Sequence, residues 1–216
     1  MPAKAKIGAM RKLISLPLFL LIACAASAAE KKWIPADRAV ACAEASDKAL
    51  CARLLDILDR DQLPRYAELN DPDNPERKAD IARADAQNIV EIEEIIANVG
   101  WPAKSLVGQK ASGAVWTILQ HSQAETLKKH LDLMTQAAER GDIGGGLLAT
   151  SVDRVRVSEG KPQVYGTQFH EVDGVWVPQP IEDEANVDAR RKSVGLGPLA
   201  EYTALLRQMH EQPKKE

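Results

Sequence analysis

Residues 81–102 read IARADAQNIVEIEEIIANVGWP, and their periodicity establishes a mainly helical protein. Ile81, Ile89, Ile92, Ile96 and Val99 recur at helical spacing, which lays them along one side of a helix as its core-facing stripe. Gly100 stops that helix and Trp101-Pro102 fixes the exit, because proline cannot continue the hydrogen-bond ladder. Upstream, the loop NDPDNP at 70–75 ends with Asn74 as cap and Pro75 at the first helical position, so a long helix is expected over 76–98.

The same period continues on both sides. Leu50, Leu54, Leu55 and Leu58 precede Asp59-Arg60-Asp61, while Ala111, Ala114, Val115, Ile118 and Leu119 mark a helix over 110–121. Leu127, Leu131, Met134 and Ala138 mark another over 124–140, with His130 on its outer surface, and a shorter helix over 147–157 ends by Gly160. The texture then changes. Residues 164–170 alternate like a strand, Asp173-Gly174 is a hairpin turn, and Val175-Trp176-Val177 answers it. Helical pieces over 187–194 and 198–208 follow. The fold class is mainly α: a single helical domain with one small antiparallel β-hairpin in the C-terminal half. The expected division is a signal peptide over 1–28, a helical lead-in over 29–75, and a main domain over 76–209 with its hairpin at 163–178.

The N-terminus reads as an export address. Lys4, Lys6, Arg11 and Lys12 precede a leucine-rich run at 13–23, and small residues follow, which is the order of a secretory signal peptide. The run is too short for a spanning helix, which needs about 20 residues. Two cuts are open. Ala26-Ser27-Ala28 would release a chain starting at Ala29, whereas Leu21-Ile22-Ala23-Cys24 resembles a lipobox that would place a lipid on Cys24. The expected location is the periplasm, or the envelope as a lipoprotein, with membrane contact only through Cys24. Removing the first 28 residues takes four cations and no acid, moving net charge from −3 to −7. That balance argues against nucleic acid as a partner.

Removing the address also leaves two cysteines, Cys42 and Cys51, in an oxidising compartment, where a disulfide is expected. Nine residues of continuous helix turn about 900° and rise about 13.5 Å, which would put the thiols on opposite faces. A disulfide needs α-carbons within about 7 Å. Pairing therefore requires the chain to turn between them, with Ser46-Asp47 as the cap of the next helix. The alternative is two free thiols buried on one helix.

Standard catalytic signatures are missing: no Gly-x-Ser-x-Gly, no Walker loop, no His-Glu-x-x-His. Gly144-Gly145-Gly146 reads as a loop. No residue set points to a metal or another cofactor. The dense region is DRVRVSEGKPQVYGTQ at 153–168. On a strand, Gln163, Tyr165 and Thr167 would share one face beside Gly166, with Gln168 on the other, a neutral hydrogen-bonding surface suited to sugars or peptides. His121 lies seven residues after Ala114 and three after Ile118, so the apolar face of its helix carries it inward. A half-buried histidine can be a general base.

These residues resemble DUF6624, a bacterial family of unknown function. The likeness rests on Gly100-Trp101-Pro102, Leu106-Val107-Gly108, Gln120-His121, Asp153-Arg154-Val155, and the run GKPQVYGTQ at 160–168. Pro180-Ile181, Arg191, Gly195-Leu196, Pro198-Leu199 and Tyr202 continue it. The resemblance implies one mainly helical domain and brings no activity. It groups His121, Asp153, Arg154 and residues 163–168 as one site. Where the family carries an acid soon after the histidine, this chain has Ser122-Gln123-Ala124.

Two functions follow as expectations. In the first, an exported domain binds an envelope component or another protein through a cleft between helices and hairpin, using Arg154, Gln163, Tyr165, Gly166, Thr167 and Gln168. In the second, a hydrolase or transferase uses His121 as general base, Asp153 to orient it, and Tyr165 with Gln168 to hold substrate. The relative geometry of His121, Asp153, Tyr165 and Gln168 separates them.

Overall fold

A computed structural model describes residues 32–210; the stretch expected to be an export signal, both expected cuts and Cys24 lie outside the described residues. The protein is mainly α, with one two-stranded antiparallel sheet. Among the described residues no helix is long and apolar enough to cross a membrane.

A short helix α1 (Arg38–Ala41) leads into α2 (Lys48–Asn70). Asp47 caps α2 by accepting from the Leu50 amide at 2.9 Å. The chain turns between the two helices, and the Cys42–Cys51 disulfide spans that turn with α-carbons 5.9 Å apart. Closing this loop adds about 2–3 kcal/mol in the chain-entropy model. Replacing both cysteines by serine should therefore lower the urea midpoint, and dithiothreitol should lower the wild-type midpoint to match. Equal midpoints with and without reductant would contradict a stabilising bridge.

Helix α3 (Pro75–Val99) starts as its sequence dictates, with Asn74 Oδ1 accepting from the Glu76 amide at 3.0 Å and Pro75 in the first turn. Its buried stripe is Ala84, Asn88, Ile92 and Ile95, and Val99 is exposed. The core face is thus rotated from the isoleucine reading, because small Ala84 and polar Asn88 sit where α2 comes close. Arg60 of α2 donates to Asn88 Oδ1 at 2.6 Å, giving that buried oxygen its partner, while Asn88 Nδ2 is buried without one.

After α4 (Lys104–Val107), helix α5 (Gln109–His121) runs through the core, with Val115, Trp116, Ile118 and Leu119 buried. The indole of Trp116 donates to Ser151 Oγ at 3.0 Å and ties α5 to α8 (Gly145–Ser158). The helix expected over 124–140 is two, α6 (Ala124–Lys129) and α7 (Leu131–Glu139). They break at His130, which is buried rather than on the surface, its Nε2 lying 3.3 Å from Glu93. The glycine triplet does not remain a loop: Gly145 and Gly146 open α8. A β-carbon on Gly145 would lie 3.0 Å from the Val194 carbonyl oxygen, so a close backbone approach requires glycine there.

The hairpin pairs β1 (Phe169–Val172) with β2 (Val175–Pro178) through Asp173-Gly174, both at positive φ, as a tight two-residue turn demands. Residues 164–168, which alternate like a strand, lie outside it. Helices α9 (Val187–Ser193) and α10 (Leu199–His210) close the chain. Phe169, Trp176 and Leu206 make a second small core, distinct from the main one.

Candidate functional site

Asp153 on α8 has no exposed surface, and its carboxylate organises the run that follows the helix. It accepts from the amides of Val164 (2.7 Å), Tyr165 (3.0 Å) and Thr167 (2.9 Å) and from Thr167 Oγ1 (2.9 Å). Gln163, fully buried, donates to the Gln168 and Gln179 carbonyls and accepts from the Gln168 amide at 2.8 Å. Gln168 donates to Thr167 Oγ1 at 3.1 Å. Gly166 sits at φ +69°, and a β-carbon there would meet Leu199 and Ile181 side-chain atoms at 2.8 and 3.1 Å. The alternation of polar groups thus serves a tightly packed turn. Its backbone amides at 164, 165, 167 and 168, the Gln163 side-chain amide and the Thr167 hydroxyl are committed within the chain.

His121 does not meet Asp153, Tyr165 or Gln168 by any hydrogen bond. Its Nδ1 lies 2.9 Å from Asp61 Oδ1, a carboxylate 60 residues earlier with no exposed surface. Asp61 also accepts from Gln62 Nε2 at 2.6 Å and pairs with the Arg65 guanidinium at 3.1 Å, which reaches on to Asp85 at 2.7 Å. The acid at Asp61 selects the Nδ1–H tautomer, leaving the Nε2 lone pair toward Gln120 Nε2 at 3.3 Å. Gln120 Oε1 is buried without a partner. Ligand atoms of Asp61, Asp85 and His121 lie within 4.8 Å of one another, a spacing a cation could use. The Arg65 guanidinium already bridges the two carboxylates there. Arg154 donates to the carbonyl of Ser122, the residue after His121, at 2.8 Å; burial holds its pKa below the ordinary guanidinium value.

Sequence reasoning treated Asp59-Arg60-Asp61 only as the charged stretch that follows the Leu50–Leu58 pattern and gave Asp61 no role. Helix α2 continues through Pro64 to Asn70, and this places Asp61, Gln62, Arg65 and Tyr66 opposite α5. Residues 59–66 contain four charged side chains in a helical pattern, the one signal that pointed there.

A cleft of about 530 Å³ opens between α2, α5 and the loop into α8. Leu58, Ala114, Ile143 and Leu147 give it an apolar floor, and Trp33 and Tyr66 stand on it with ring centroids 5.7 Å apart. Lys110 sits over the Trp33 ring, 5.3 Å from its centroid. Lys104 lines the same cleft, and neither lysine has an ion-pair partner among the described residues. The one carboxylate in the wall, Asp142, is already taken by the Lys104 amide and by Arg140, each at 2.9 Å. Gln62 and Thr117 border the cleft and join it to the Asp61–His121 pair one helical turn away.

The profile of a family of unknown function, DUF6624, matches residues 49–213, a longer stretch than the quoted motifs cover. No curated protein and no solved structure matches the chain.

Proposed function

The chain belongs to the DUF6624 family, and on that footing we propose that it is an exported ligand-binding domain whose cleft takes a small amphipathic anion. One observation carries the reading: an apolar cleft walled by aromatic rings and rimmed by two unpaired lysines, Lys104 and Lys110. Largely apolar pockets with a few placed polar groups are the usual form of small-molecule sites. Two cations with no acid left to neutralise them favour a carboxylate or phosphate head, and the floor favours an acyl chain. Export is supported by the order of charges before the leucine run and by the Cys42–Cys51 bridge, which needs an oxidising compartment. Intact-mass analysis of the mature chain tests it directly: a start at Ala29 or a lipidated Cys24 supports export, and an unprocessed Met1 opposes it.

The binding test uses dodecanoate and dodecyl phosphate, with dodecanol as the uncharged control. Calorimetry should show saturable binding of both anions. Lys104→Ala with Lys110→Ala should weaken them about tenfold, as expected when two solvent-facing cations are lost. Dodecanol should be unaffected by the double substitution. Equal weakening of anion and alcohol, or no saturable binding, would overturn the proposal.

A catalytic reading with His121 as general base has the Asp61 pair in its favour. We rank it second because His121 Nε2 faces Gln120, and the residues cast as its substrate-holding partners, Tyr165 and Gln168, belong to the internally bonded turn.

A further inference from the structure

A second pocket, of about 300 Å³, lies on the other side of the 163–168 turn, between it and the connection from α9 to α10. Arg191 forms its base and is only 2% exposed. Its Nε donates to the Gly197 carbonyl at 2.6 Å, and its Nη1 donates to the Tyr165 and Gly166 carbonyls at 2.8 and 3.3 Å. Its Nη2 has no acceptor among the described residues, and no carboxylate pairs with the guanidinium. The two acids whose charge reaches it are both committed: Asp153 to the turn amides, and Asp188 to the Leu199 amide at 2.8 Å. The Tyr202 ring faces the guanidinium, its centroid 5.2 Å from Cζ, and offsets part of its charge; a buried cation with no ion-pair partner remains costly. Burial accordingly lowers the Arg191 pKa, and the same burial raises that of Tyr202 beside it.

Three further features point to what belongs there. The pocket opens at the start of α10, a 12-residue helix whose Leu199 amide Asp188 caps, leaving the next first-turn amides without an intrahelical acceptor and favourable to negative charge. Glu201, exposed and in the first turn of α10, lines the same pocket with no ion-pair partner. Leu196, Leu205 and the Tyr202 ring supply apolar wall. A purely anionic ligand would leave Glu201 opposed; a purely cationic one would leave Arg191 opposed. We infer that this pocket binds a free α-amino acid with an apolar side chain, its carboxylate on Arg191 Nη2, its ammonium on Glu201, and its side chain against Leu196 and Leu205.

This site is separate from the acyl cleft, so either can fail without the other. The probe is L-leucine against the mature chain, with 4-methylpentanoate as the carboxylate-only control and 3-methylbutylamine as the amine-only control. Leucine should bind saturably and more tightly than either control. Glu201→Gln, at an exposed position, should weaken leucine about tenfold and leave 4-methylpentanoate unchanged. Arg191→Lys should abolish binding of both carboxylates; because it also disturbs the turn, Glu201→Gln is the deciding variant. Leucine binding that ignores Glu201→Gln, or no saturation at millimolar leucine, overturns the assignment.

Discussion

Asp153→Ala is expected to lower the stability of the folded chain by about 4 kcal/mol, the largest effect of any single substitution considered for this protein. The reason is a count of donors. Three backbone amides and one hydroxyl converge on that carboxylate, and the residue has no exposed surface through which water could replace it. Leaving one buried donor unsatisfied costs about 1–3 kcal/mol, and the turn can relax to rescue some of the four. Asp153→Asn keeps one acceptor oxygen but sets an amide NH₂ against backbone N–H groups, so it should fall between alanine and wild type. Urea unfolding followed by far-ultraviolet circular dichroism reads both. A loss under about 1 kcal/mol for the alanine variant would mean that the turn holds itself together without the carboxylate.

Asp61→Ala should cost about 3 kcal/mol, and the companion substitution His121→Ala clearly less. Asp61 joins three helices: it sits on α2, receives His121 from α5, and shares Arg65 with Asp85 of α3. Without it, the His121 ring N–H loses its acceptor and the Arg65 guanidinium keeps only one of its two carboxylates, Asp85, in a closed interface. Without His121, Asp61 still has Gln62 and Arg65. The two unfolding midpoints therefore rank the roles. If His121→Ala proves as damaging as Asp61→Ala, the histidine is the principal clamp; if neither matters, the cluster is not holding the helices. A double-mutant cycle between positions 61 and 121 isolates their coupling.

What was legible in the chain follows a physical boundary. Asn74-Pro75 starting α3, Gly100 ending it, Asp173-Gly174 turning the hairpin and Ser46-Asp47 turning between the cysteines are all set by residues within a few positions of each other. Local backbone preference is enough to read them. The stripe on α3 was legible only as helical, because the choice of buried face depends on what α2 presents to Ala84 and Asn88. His130 lay beyond local reading for the same reason: it is buried where Glu93 of α3, on another helix, meets it.

The candidate site shows the boundary most clearly. His121 was recognisable as inward-facing from its spacing, but its partner was not, since Asp61 lies 60 residues away on another helix. The packing of α2 against α3 and α5 brings the two side chains together. Polar residues at 163–168 carried the pattern of an open binding surface, yet Asp153 turns their amides inward. By itself the sequence determined the helical class, the hairpin and the turn that a Cys42–Cys51 bridge requires, because each depends on local conformation or on composition. Tertiary structure alone decided which carboxylate meets His121, which polar groups remain free, and where Lys104 and Lys110 come together above an apolar floor. Those outcomes are fixed by long-range packing, where helices far apart in the chain compete to satisfy the same buried donors and acceptors.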